Sequence, residues 1–204
     1  MPHSVCPWWI GYLLASPLRR LLHSPADILG PYVHEGMNVL EPGPGMGFFT
    51  LELARLVGSS GRVVAVDIQP EMLASLRRRA AKAGLLERID ARLAESGSMG
   101  LDYLTGTVDF VLAFAMVHEM PSSASFFAQA SQTLKAGGRL LLAEPSGHVK
   151  PPLFEAELKA AAEAGLVVED RPAVRRSHAA LLRKSVSRSQ RPGAAANCIS
   201  QVTG

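Results

Sequence analysis

Glu41, Gly43, Gly45 and Gly47 stand in the run VLEPGPGMG with the spacing E-x-G-x-G-x-G, and Asp67 follows the last of them by 20 residues. Glycines remove the Cβ atoms that would hold a ligand away from backbone. A carboxylate at the end of the next strand can accept both hydroxyl hydrogens of a ribose. The two features in this order point to a nucleoside-containing ligand. A dinucleotide fingerprint would need a third glycine where Phe48 stands, and no Tyr-x-x-x-Lys pair follows the fourth apolar run, so a nicotinamide dinucleotide is disfavoured. The acid at position 41 suits a cationic ligand better than a pyrophosphate.

A second group of reactive types follows two later apolar runs: His118 and Glu119 after the first, Glu144 and His148 after the second. Either His118 or His148 could take a proton from a hydroxyl, an amine or an activated carbon. Glu144 is expected to face the incoming substrate. The aromatic residues Trp8, Trp9 and Tyr12 could cover the same place as a lid, with Trp8 and Tyr12 touching substrate.

These residues need a scaffold of alternating strands and helices. Asn38 to Glu41 reads as a strand entering the glycine turn, and Phe49 to Val57 as a helix. Val63 to Val66, closed by Asp67, is the second strand, and Pro70 opens a helix carrying Met72, Leu73, Leu76 and Ala80 on one face. Further strands fall at Ile89 to Leu93, Val108 to Phe114 and Arg139 to Glu144, the last announced by the turn signal Lys135 to Gly138. Helices fall at Ser122 to Leu134 and Phe154 to Ala164. Two short strands, Gly165 to Glu169 and Ala179 to Arg183, complete the pattern. Near-continuous apolar strands alternating with helices require a parallel sheet covered on both faces, an α/β fold.

With 204 residues, 48% of them hydrophobic and 19% charged, the chain can bury one full core. Residues 1–32 read as an N-terminal helical segment, 33–184 as the main domain and 185–204 as a disordered basic tail. The formal charge of +3 resides in that tail region: residues 171–204 hold seven Lys or Arg and no acid, and the remaining 14 basic groups face 18 acidic ones. Such a body does not track nucleic-acid phosphates. The triple Arg77-Arg78-Arg79 reads as a solvated helix face. Cys6 and Cys198 lie at opposite ends of the sequence and form neither a disulfide framework nor a zinc pattern, which suits a reducing, cytoplasmic setting. No apolar run reaches the roughly 20 residues of a membrane helix.

In the order and spacing of VLEPGPGMG, VVAVDIQPEM, VDFVLAFAMVHEM and LKAGGRLLLAEP, the chain resembles the class I S-adenosylmethionine-dependent methyltransferases over residues 33 to 170. Within them it is most similar to small bacterial enzymes of the ubiquinone and menaquinone C-methyltransferase type. The resemblance implies a Rossmann-like, seven-stranded, mostly parallel sheet whose last strand is antiparallel. It implies that Glu41, Gly43, Pro44, Gly45 and Gly47 line the methionine moiety of S-adenosylmethionine, that Asp67 meets the ribose, and that Ile68, Ala94 and Glu95 border the adenine. Phe114 and Ala115 match positions beside the sulfonium. Phe114-Ala115-Met116 offers no Asp ligand of the metal-dependent type, and no Asn-Pro-Pro or Asp-Pro-Pro segment of the amino-group enzymes follows the fourth strand. A metal-independent transfer to a small molecule is therefore expected. The alternatives are a protein or RNA methyltransferase anchored by the basic tail, and a catalytically silent nucleoside-binding module; a homodimer is compatible with each.

Overall fold

Central strands that are nearly continuous apolar runs have no face they can show to water, so the sheet they form must lie between two helical layers. The computed structural model describes residues 23–95 and 97–185 and has this arrangement. Its elements are α1 (Pro25–Leu29), β1 (Asn38–Pro42), α2 (Thr50–Leu56), β2 (Arg62–Asp67), α3 (Pro70–Lys82), β3 (Ile89–Leu93) and β4 (Val108–Phe114), then α4 (Ser123–Thr133), β5 (Leu134–Pro145), α5 (Pro151–Glu163), β6 (Leu166–Asp170) and β7 (Ser177–Lys184).

The seven strands form one sheet in the order β3-β2-β1-β4-β5-β7-β6. β1 to β5 pair in parallel, and β7 is antiparallel to both of its neighbours. This is the Rossmann-like sheet with an antiparallel last strand that the resemblance implied. One layer, α1 to α3, packs Leu29, Leu53, Leu73 and Leu76 against Val39, Val63, Phe110 and Leu112. The other, α4 and α5, packs Phe126, Phe127, Phe154 and Leu158 against Leu40, Val111, Leu140 and Leu142. Alternate residues of β1, β4 and β5 thus serve opposite layers.

Local signals place the helix starts. Ser24 and Ser122 cap α1 and α4 by accepting from the Asp27 and Ser125 amides, and Pro70 and Pro151 occupy the first positions of α3 and α5. Ser24-Pro25 starts α1, with Pro25 at its first position. β5 is longer than expected: Lys135 to Gly138 stay in the strand, with a register shift between the Val108–Leu134 and Phe110–Arg139 pairs. Ser185, expected to open the tail, is held by Gly165 through its amide and hydroxyl. Trp8, Trp9, Tyr12, Cys6, Cys198 and residues 186–204 lie outside the described residues. No helix among the described residues is long and apolar enough to cross a membrane.

Candidate functional site

The parallel strands all end at one edge of the sheet, and that is where the two groups of reactive residues meet. Past β1 the chain turns on three glycines with positive φ: Gly43 at 65°, Gly45 at 53° and Gly47 at 85°. They do different work. A Cβ on Gly47 would collide with Leu76 of α3, so this glycine lets the loop pack on the helix. A Cβ on Gly43 would come within 3.2 Å of Met116. A Cβ on Gly45 would meet nothing within 4 Å, so it would protrude into open space. The loop is tied down from both sides: the Gly43 amide donates to Val66 O at 2.8 Å, and Arg79 Nη1 donates to Met46 O at 2.6 Å. Arg79 is therefore a brace for the turn and not merely part of a solvated face. Its neighbour Arg77 likewise donates to Ala91 O.

Asp67 ends β2 beside this loop. Its carboxylate accepts from the Gln69 amide at 2.9 Å and is also faced by the amides of Gly45 and Ile68. Burial raises its pKa above the ordinary carboxylate range, and the three amides work against that rise. Ile68 next to it is 43% exposed, a large apolar side chain left open at the cleft. The Ala94 amide donates to Asp67 O at 2.9 Å, which extends the β2–β3 ladder and brings the end of β3 alongside; Glu95 follows, exposed. Glu41 is buried at 4% exposure within β1. The sequence-predicted nucleoside residues thus gather around β1, β2 and β3. The loop leaves open backbone where a cofactor would lie and a pinned carboxylate beside it, so the residues present fit S-adenosylmethionine.

The second group surrounds the ends of β4 and β5. Ala115 takes the left-handed region, φ 55°, which costs an alanine about 1 kcal/mol or more. The kink turns the chain back over the sheet, so that the amides of Met116 and Val117 both donate to Glu144 Oε1, at 3.3 and 2.8 Å. The other oxygen, Oε2, is hydrogen-bonded to Nδ1 of His118. Glu144 has no solvent exposure. It was expected to face substrate; instead both its oxygens are engaged inside the protein, because an ionised carboxylate that leaves water must be surrounded by donors. Phe114, at the strand end, packs on Phe49 at 4.4 Å and on His23 at 5.3 Å between ring centroids.

His118 is half-buried, and its hydrogen bond to Glu144 raises its pKa despite the opposing effect of burial. Its Nε2 is 3.9 Å from Glu119 Oε1. His148 is exposed, with its ring centroid 6.1 Å from that of His118. The fold therefore brings the two histidines together but builds a support only for His118. Sequence reasoning missed Glu157 of α5, 3% exposed, whose pKa burial and the Glu144 charge push up to about 7. A signal existed: Phe154, Glu157, Leu158 and Ala161 share the apolar helical spacing, so Glu157 occupies a core position. Among the described residues no group of three or more His, Cys, Asp or Glu side chains is placed to hold a metal ion.

A seven-stranded sheet with an antiparallel last strand, a glycine loop after β1 and an acid after β2 defines the class I methyltransferase architecture. A family profile described as a methyltransferase domain matches residues 33–185, and the chain belongs to that family, whose cofactor is S-adenosylmethionine. It is 32% identical over 109 residues to the arsenite methyltransferase of Halobacterium salinarum, covering 53% of this chain and 27% of that protein. It is 30% identical over 124 residues to the ubiquinone/menaquinone biosynthesis C-methyltransferase of Cronobacter sakazakii, covering 61% of this chain and 49% of that one. The chain thus spans no more than about half the length of these relatives. A solved structure of an S-adenosylmethionine-dependent methyltransferase from Aquifex aeolicus superposes with a TM-score of 0.78 at 25% identity, over 88% of this chain and 100% of that one.

Proposed function

We propose that this protein transfers a methyl group from S-adenosylmethionine to a small-molecule acceptor that gives up a proton in the step. The observation that carries the reading is the open backbone at Gly45 beside the amide-pinned carboxylate of Asp67. The glycine loop with Glu41 and Pro44 would hold the methionine end. Asp67 would accept from the ribose hydroxyls, and Ile68, Ala94 and Glu95 would border the adenine. Phe114 and Ala115 would lie beside the sulfonium, which when bound supplies an electrophilic methyl carbon.

The chain's own contribution to such a displacement is alignment and dryness: an acceptor held in line reacts with an effective molarity as high as about 10⁵ to 10⁸ M. His118 Nε2 would receive the proton that the acceptor gives up, while the bound sulfonium would supply the methyl group and a neutral sulfur as leaving group. His148, at the exposed side of the same edge, would contact the acceptor. The small-molecule reading is supported by the C-methyltransferase relative and by the acidic balance of the residues before position 171.

The test is a calorimetric titration of the full chain with S-adenosylmethionine, S-adenosylhomocysteine and NADH in parallel. Micromolar binding of the first two and none of the third is expected. Failure of both sulfur nucleosides to bind would overturn the reading.

A further inference from the structure

The region between β5 and α5 contains more buried acid than methyl transfer by alignment needs. Glu144 and Glu157 are both nearly inaccessible, at 0% and 3% exposure, and lie in the layer that α5 packs onto the sheet. A buried carboxylate stays ionised only where donors or a cation compensate its lost hydration. The one basic group hydrogen-bonded to either of them among the described residues is His118. Glu144 is saturated, with two backbone amides on Oε1 and the imidazole on Oε2. Glu157 Oε2 is buried with no hydrogen-bond partner among the described residues, which favours the neutral carboxyl over its anion.

We propose that Glu144 is a positioning residue that makes His118 the proton acceptor: it fixes the imidazole with its proton on Nδ1. This rests on the methyltransferase reading for its purpose but not for its geometry. A carboxylate only accepts, so the imidazole must donate to Glu144 from Nδ1. That leaves Nε2 with the lone pair, at the edge where the acceptor arrives. When Nε2 takes a proton, the imidazolium faces the Glu144 carboxylate directly, and its charge favours ionisation of Glu157. Other titratable groups around them are Glu119 on the same turn, His148 past β5, and His178 of β7, which stands opposite Glu144 in register and packs on Phe154.

The experiment is a pH titration of the histidine ring nitrogens by NMR on the full-length chain, with calorimetry of S-adenosylhomocysteine on each variant. In the wild type the neutral form of His118 is expected to be the Nδ1–H tautomer, and its midpoint is expected above the ordinary imidazole range. Glu144→Gln should lower the His118 midpoint, and Glu157→Gln should lower it less. S-adenosylhomocysteine should bind equally in all three. An Nε2–H tautomer in the wild type would overturn the proposal, and this holds even if Glu144→Gln does not fold. A His118 midpoint unchanged in a folded Glu144→Gln variant would overturn the role of Glu144. Loss of nucleoside binding in the wild type would instead strike the methyltransferase reading and leave the tautomer result standing.

Discussion

The ends of β1 and β2 present backbone to the cleft, and the ends of β4 and β5 present side chains. On the first side the loop exposes Gly45, and Asp67 is held by amides of Gly45, Ile68 and Gln69. On the second, Glu144 holds His118 and two amides, with Glu157 buried nearby. Backbone recognition depends on what is missing, a Cβ, and is local in the chain. Side-chain recognition depends on groups 26 and 39 residues from His118 meeting in the core. The first suits a ligand of fixed shape, and the second suits chemistry in which a proton moves.

The comparison breaks most sharply at Gly45. A valine there would adopt a left-handed φ and fill the open space, so S-adenosylmethionine affinity should fall more than about 100-fold, or about 3 kcal/mol. Circular dichroism should show the fold intact; normal affinity in the titration would end the claim that backbone forms this side.

On the other side, Glu157→Gln should change the pH dependence of stability. The native pKa, about 7, lies above the unfolded value of 4.5, so the carboxyl's contribution is fully present below pH 4.5 and is lost as pH rises through 7. The wild type should lose on the order of 3 kcal/mol of stability over that window. The glutamine variant should lose less, read as urea midpoints at pH 5 and pH 8. Parallel midpoints in the two proteins would show that Glu157 does not ionise in the core.

Asp67→Ala should weaken S-adenosylmethionine binding by about 1.5 to 3 kcal/mol, the worth of hydrogen bonds to a charged group. An unchanged dissociation constant in calorimetry would remove the ribose role. Arg79→Met keeps the helix packing but removes the bond to Met46 O, and a loss of about 1 kcal/mol in the same titration is expected. No loss would mean that the glycine loop holds its shape without the brace.

The difference between the two sides also explains what could be read from the residues alone. The strand boundaries at Ile89 and Val108 match the expected ones because β-branched and apolar runs bounded by turns have little other use. The glycine turn and Asp67 were legible because their spacing is local. Glu144 was legible as a residue at the sheet edge but not as a buried one: burial of an acid depends on donors, and its donors come from Met116, Val117 and His118. In the sequence Arg79 is one of three adjacent cations on a helix face, and its reach to Met46 O exists only in the fold.

The sequence by itself determined the alternation of strands and helices, the glycine turn and the acid that follows β2, since periodicity and backbone freedom are properties of short segments. Tertiary structure decided which acids are buried, which histidine is supported and which arginine braces the loop. Those outcomes depend on desolvation and on hydrogen bonds between residues distant in the chain, and neither exists until the two helical layers close on the sheet.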